Sequence, residues 1–274
     1  MRLSPRHPRY ASLKVRETLA EATRAGFVVP EGLIAHGRGE AFDYFLGERT
    51  SPGARRAEHA AAEWLLAARH PVMSVNGNVA ALAAGEVARL QRAVPGLDVE
   101  VNLFHRTGPR ARQVARALRS AGVRRVLGVQ PNGKIPFLPS DRALVDRRGI
   151  LDADVCLVPL EDGDRTEALR ALGKRVISID LNPLSRTSES ADLPIVDELR
   201  RALAEIADRA RSLRKRGRAH RIRPFDRRAA LSEALTTMEE RLRRTATGRP
   251  TARARARASR RRPRGTDGRT RRTP

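Results

Sequence analysis

Two short apolar runs, Val155–Val158 and Val176–Ile179, stand out in the middle of the chain, and both are rich in β-branched residues. Each ends in a polar cluster: Glu161-Asp162-Gly163-Asp164-Arg165-Thr166 after the first, and Asp180-Leu181-Asn182-Pro183-Leu184-Ser185-Arg186-Thr187 after the second. The stretch between them, Thr166–Gly173, is helical in character. This spacing predicts a βαβ unit with polar loops at the strand C-termini. In open α/β sheets such loops form the ligand crevice.

The same design recurs along the chain. A strand at Pro71–Val75 runs into Asn76-Gly77-Asn78, and one at Val99–Leu103 runs into Phe104-His105-Arg106-Thr107. A third, Arg125–Val129, opens into Gln130-Pro131-Asn132-Gly133-Lys134, and a short strand at Leu193–Val196 precedes a helix over Glu198–Leu213. Further helices are expected over Pro8–Gly26, 53–69, Ala80–Ala93 and Pro109–Ala121. Residues 32–50 begin apolar, are expected to turn through His36-Gly37-Arg38-Gly39, and become helical from Glu40. The count predicts an α/β fold: a mainly parallel sheet with helices on both faces. So many polar strand-to-loop junctions exceed what turn chemistry requires, so some are expected to converge on one site.

Composition sharpens this picture mainly at the C-terminus. The net charge of +24 is uneven: residues 241–274 carry +13, residues 209–240 carry +6, and the remaining 208 residues only +5. Residues 245–274 contain no large apolar side chain, so burial cannot offset their ordering entropy and a disordered Arg-rich tail is expected. The domain reading is therefore a single α/β domain over 1–244, with a helical part from about 198, followed by that tail. The one cysteine, Cys156, lies inside an apolar strand, which excludes a disulfide framework and fits a reducing cytoplasm. No apolar run approaches the roughly 20 residues of a membrane span. The N-terminal segment lacks the apolar region of a secretory signal.

Several motif classes are absent. The histidines at 7, 36, 59, 70, 105 and 220 are scattered, and no zinc spacing exists. There is no nucleophile elbow and no Walker A sequence; Gly37-x-Gly39 is only a fragment of a dinucleotide fingerprint. A Gly-Arg-Gly turn ahead of a helix can offer backbone N–H groups and the Arg38 guanidinium to a phosphate, or can simply be an exposed turn. Asn76 and Asn78 can orient a carboxylate or hydroxyl, or can form a plain turn. Glu161, Asp162 and Asp164 suit Mg²⁺ or an amine, or alternatively the start of a helix. Asp180 and Asn182 resemble pairs that hold a ribose or base, with Arg186 nearby for phosphate; a Pro-containing loop exposing polar groups is the plainer reading. No residue is assigned a catalytic role.

Longer segments carry a resemblance. HPRYASLKVRE (7–17), GLIAHGRGEAFDYFLGERT (32–50), HPVMSVNGNVAAL (70–82), NLFHRT (102–107), VLGVQP (126–131), ADVCLVPLEDGDRTEAL (153–169) and VISIDLNPLSRTSESAD (176–192) together resemble archaeal phosphopantothenate synthetase, also called 4-phosphopantoate–β-alanine ligase. The arginine tail resembles nothing in that family. The resemblance implies a homodimer with a Rossmann-like core. It implies condensation of 4-phosphopantoate with β-alanine, with ATP as co-substrate and Mg²⁺ carried on its phosphates, to give 4′-phosphopantothenate, AMP and diphosphate in coenzyme A biosynthesis. For ATP it implies Arg16, Arg38, Asp180, Leu181, Asn182, Arg186 and Thr187, the last a serine in most relatives, together with position 198, where an asparagine is usual and this chain has Glu198. For the other substrates the candidates are His36, Asn76, Asn78, Asp162 and Asp164, with no metal ligand assigned. A second reading is a nucleic-acid-binding protein acting through its basic C-terminal region, although aromatics at 3% leave few stacking platforms. A nicotinamide-dependent oxidoreductase is a third, and it lacks the full glycine fingerprint.

Overall fold

The computed structural model describes residues 4–7, 9–217 and 220–248. The chain begins with three helices, α1 (Tyr10–Arg24), α2 (Pro30–Leu46) and α3 (Pro52–Ala67). Strands and helices then alternate: β1 (Pro71–Val75), α4 (Gly77–Ala93), β2 (Asp98–Val101), α5 (Gly108–Ser120) and β3 (Val126–Leu127). A small antiparallel hairpin follows, β4 (Gly133–Lys134) with β5 (Leu144–Val145). The second half runs β6 (Val155–Pro159), α6 (Gly163–Ala171), β7 (Arg175–Ile179), α7 (Arg186–Ser190), β8 (Leu193–Ile195), α8 (Leu199–Lys215) and α9 (Arg227–Ala246).

The main sheet has six strands in the order β3-β2-β1-β6-β7-β8, and every pairing is parallel. This is the Rossmann strand order, with the reversal between β1 and β6. Successive side chains alternate between the two faces. Met73, Val75, Val155, Leu157, Ile177 and Ile179 pack under α3, α4, α5 and α8. Val72, Cys156, Val158 and Val176 face the other way, onto α6, the hairpin and Ile150. Both faces are covered, which is why these strands read as continuous apolar runs.

The strands and most helices match the sequence pattern closely, but two regions differ. Residues 36–39 do not turn: α2 is continuous through His36-Gly37-Arg38-Gly39. It starts earlier, with Pro30 in its first turn and Glu31 favourable to the dipole there. Leu33, Phe42 and Leu46 anchor it in apolar clusters, outweighing the roughly 1 kcal/mol cost of each internal glycine. The turn expected there does not exist, and with it goes the backbone phosphate cradle it could have offered. The hairpin and the turns at 141–143 and 147–151 were also unforeseen, because strands of two residues carry no periodicity. The tail expected over 245–274 lies outside the described residues from 249 on; before that, α9 continues to Ala246.

Candidate functional site

The polar loops gather at the C-terminal edge of the sheet, and several owe their composition to helix capping. Asn76 accepts a hydrogen bond from the Val79 amide at 3.1 Å and so caps α4, while its Nδ2 donates to the Leu160 carbonyl at 2.9 Å. One side chain thereby caps a helix and ties the loop after β1 to the loop after β6, across the switch point. Leu160 itself is held at φ 50°, a left-handed conformation costly for a branched residue. Thr107 caps α5, Ser185 caps α7 and Glu198 caps α8. Each such cap contributes on the order of 1 kcal/mol.

Beneath the switch point lies a buried ion network. Glu161 pairs with Arg165 and, at 2.5 Å, with Arg142; Arg142 also approaches Asp162 at 2.6 Å. From β1, Ser74 donates to Glu161 at 3.2 Å and accepts from Arg165 at 2.9 Å. Burial pushes the Glu161 carboxyl up, but the Arg142 and Arg165 charges outweigh it and hold it below the usual range. At the neighbouring Asp162 burial wins over Arg142, and the carboxyl is raised.

The loops after β7 and β8 form the other half of the crevice. Asp180 accepts from the Ser185 hydroxyl at 2.6 Å and from the Asn182 amide at 2.9 Å, while Asn182 accepts from the Leu184 amide at 2.9 Å. Burial pushes Asp180 up, and Arg38 on α2 is close enough to draw it partly back. The Thr187 hydroxyl donates to the Glu161 carbonyl at 2.7 Å, locking the two halves of the βαβ unit together. Gly163 is required at this junction, because a Cβ there would collide with Arg186. Glu198 accepts from the Arg201 amide at 3.1 Å, and burial raises its carboxyl. Beside it, buried Asp197 accepts from Thr50 at 2.5 Å and pairs with Arg201, and faces the fully buried Glu58.

A family comparison can be set on this geometry. The model of the phosphopantothenate/pantothenate synthetase family matches residues 53–241, more than half of the chain and most of the sheet. The chain belongs to this family. It is 58% identical over 201 residues to the 4-phosphopantoate–β-alanine ligase of Methanospirillum hungatei, covering 73% of this chain and 82% of the relative. It is 48% identical over 239 residues to the ligase of the same name from Methanosarcina mazei (86% and 94% covered), and 47% identical over 244 residues to that of Thermococcus kodakarensis (88% and 93%).

Arg38, Asp180, Leu181, Asn182, Arg186, Thr187 and Glu198 thus come from α2 and the β7 and β8 loops. Arg16 and His36 form a separate group: Arg16 pairs with Glu40 at 3.0 Å, and Ser12 donates to Glu40 at 2.7 Å. At about 100° per residue, Arg38 lies about 200° round α2 from His36 and Glu40. Burial pushes the His36 imidazole down toward its neutral form, and its Nε2 has no partner among the described residues. Asn78 donates to the Gly32 carbonyl at 2.8 Å and so ties α4 to the start of α2. Asp164 accepts from the adjacent Arg165 amide at 2.9 Å in the first turn of α6.

Sequence reasoning missed Arg110, Arg142, Arg165 and Ser74. Arg110 carried one readable signal: it sits in the first turn of α5, where the helix dipole disfavours a cation. Arg142 lies in a segment without pattern. Two cavities lie elsewhere: one of about 280 Å³ lined by Glu63, Arg209 and His220 among others, and one of about 360 Å³ at Arg69, His70, Asp152 and Asp154. The second lies at the N-terminal ends of β1 and β6. The first involves the C-terminal parts of α3 and α8, which approach that same edge, so neither belongs to the crevice.

Proposed function

We propose that the chain is an ATP-dependent 4-phosphopantoate–β-alanine ligase that forms an acyl-adenylate and releases AMP and diphosphate. The observation that carries this reading is that the family-matching loops meet at the switch point of the sheet, where α/β folds bind ligands. A carboxylate is a poor electrophile because oxide is a poor leaving group. Attack of the carboxylate oxygen on the α-phosphorus of ATP expels diphosphate and gives an acyl-adenylate. The amine of β-alanine then attacks the acyl carbon, loses a proton, and expels AMP. Such chemistry asks the protein mainly for positioning and for compensation of charge.

The two sides of the crevice suit different ligands. Carboxylates and amides at Asp180, Asn182 and the 197–198 loop suit the hydroxyls and ring nitrogens of a nucleoside, with Arg38 and Arg186 for its phosphates. Gly37 and Gly39 border open space, since a Cβ on either would meet nothing within 4 Å. The Glu198 side chain is engaged in capping, so any base contact there falls to the backbone. Asp162, half-exposed although Arg142 approaches it, is the candidate to meet the ammonium of β-alanine, because Glu161 is buried between two arginines. Among the described residues no group of three or more His, Cys, Asp or Glu is placed to hold a metal. In this reading Mg²⁺ is carried on the triphosphate, with few protein ligands of its own.

The proposed setting is a cytoplasmic homodimer with a single catalytic domain over 1–244 and an accessory tail. No helix among the described residues is long and apolar enough to cross a membrane. Ile34, Tyr44 and Phe45 of α2 are exposed and suit a subunit contact. The relatives lend no support to the nucleic-acid reading. Purified protein with ATP, Mg²⁺, β-alanine and 4-phosphopantoate should release AMP; ADP in its place would overturn the proposal.

A further inference from the structure

The family description covers both phosphopantothenate and pantothenate, so a member must either read the phosphate of its acid substrate or ignore it. The structure contains a place suited to reading it. Arg110 is nearly buried, at 9% exposure; its Nε donates to the Phe27 carbonyl at 3.2 Å and its Nη1 to the His105 carbonyl at 2.5 Å. No carboxylate among the described residues lies within ion-pair distance of it. Its Nη2 lies over the start of α4, 3.3 Å from where a Cβ on Gly77 would stand. Gly77 and Asn78 are the first two residues of that 17-residue helix, so their amides have no intrahelical acceptor.

Arg142, at 7% exposure, shares this corner. The Asp141 carboxylate next to it accepts from the Arg106 amide at 3.0 Å, and its own carbonyl accepts from Asn102 at the end of β2. Its Nη1 pairs with Glu161 at 2.5 Å and its Nε with Asp162 at 2.6 Å. Burial, and then the charge of Arg142, lower the Arg110 pKa by more than the more distant Glu31 raises it. Arg110, Arg142 and Arg165 thus bring three buried guanidiniums to this corner against one buried, ionised carboxylate, Glu161, and the half-exposed Asp162, whose carboxyl is raised, and such an excess of positive charge favours an added anion. A purely structural role explains the bonds to Phe27 and His105, but not the open Nη2 or the lack of a carboxylate in ion-pair reach of Arg110 among the described residues.

We infer that the phosphate of the acid substrate binds at the N-terminus of α4 between Arg110 and Arg142, and that these arginines set the preference for the phosphorylated over the unphosphorylated acid. The inference rests on the ligase reading. It assigns the β1–β2 side of the crevice to the phosphorylated acid and leaves the β7–β8 side to the nucleotide. Glu161, backed by Arg165 and Ser74, is then a positioning residue that holds Arg142 over the crevice.

The test measures AMP release by the full chain with 4-phosphopantoate and with pantoate, varying each acid and ATP in turn. Arg142→Lys, Arg142→Gln and Arg110→Lys should each raise KM for 4-phosphopantoate by about 10- to 100-fold, the weight of a charge-assisted phosphate contact. KM for ATP should stay within about threefold, so the kcat/KM ratio between the two acids should fall by a similar factor. Glu161→Gln should lower the same ratio, which loss of folded protein alone would not do. In the unmodified chain, inorganic phosphate should inhibit competitively against 4-phosphopantoate and not against ATP, a readout that needs no variant to fold. An unchanged acid ratio in the Arg142 variants, or phosphate competing with ATP instead, would overturn the inference while leaving the ligase standing. Absence of AMP from the unmodified chain would remove both.

Discussion

The two sides of the crevice are built from opposite charges. Toward β1 and β2 the buried groups are Arg110, Arg142 and Arg165, with Glu161 ionised among them. Toward β7 and β8 stand the buried Asp197 and Glu58 and the partly buried Asp180 and Glu198, and burial raises the carboxyls of Asp180, Glu198 and Glu58. The same physical condition, a carboxylate taken out of water, thus has two outcomes. At Glu161 two arginine charges outweigh burial and the acid stays charged; at Asp180, Glu198 and Glu58 burial is the largest influence, reinforced at Glu58 by Asp197, and the carboxyl is raised. A positive side suits a phosphate and an acid-rich side suits the hydroxyls of a nucleoside, so the division of charge parallels the proposed division between the phosphorylated acid and the nucleotide.

The largest expected effect comes from removing the ionised acid of the positive side. Glu161→Gln leaves Arg142 and Arg165 buried without their counter-charge and should cost about 3–5 kcal/mol in urea unfolding. Less than 1 kcal/mol would mean that the arginines find other partners. At the junction of the two sides, Gly163→Ala should push α7 away from α6 and cost roughly 1–3 kcal/mol, with a weaker ATP KM. On the nucleotide side, Arg38→Ala should raise KM for ATP by about tenfold with little change in melting temperature, since the side chain is exposed and makes no ion pair among the described residues.

The acid-rich side has a pH signature. Burial and the neighbouring Asp197 push Glu58 from 4.5 to about 9. The folded chain therefore keeps a proton that the unfolded chain releases, and this contribution to stability is complete below pH 4.5 and lost as pH rises toward 9. Burial likewise raises Glu100, to about 7, despite bonds from the Ile150 and Asp146 amides. Stability measured between pH 5 and 8.5 should fall with pH, and Glu58→Gln should flatten that fall; an unchanged slope would show Glu58 ionised throughout. The smallest effect is expected outside the crevice. Glu40→Gln breaks the Arg16 pair, but Arg16 is half exposed, so thermal unfolding should register less than about 1 kcal/mol.

The strands were legible because both faces of a parallel sheet are buried, so β1, β6 and β7 read as apolar runs bounded by polar loops. The crevice was legible for the same reason: each loop is recognisable as the end of such a run. Residues 36–39 misled because glycine spacing is a local signal, whereas α2 is held by tertiary contacts of Leu33, Phe42 and Leu46. The polar loops also looked more uniformly ligand-directed than they are, since Asn76, Ser185 and Glu198 cap helices. Arg142 was invisible as a site residue because its partner Glu161 is remote in sequence, and Arg165, only four residues from Glu161, because its second partner, Ser74, lies on another strand.

The division of the crevice can be tested most directly by calorimetric titration of ATP alone and 4-phosphopantoate alone into the unmodified chain, Arg38→Ala and Arg142→Lys. The account predicts a crossed result: Arg38→Ala weakens ATP and spares 4-phosphopantoate, while Arg142→Lys weakens 4-phosphopantoate and spares ATP. Both variants weakening the same ligand, or the pattern reversed, would contradict it.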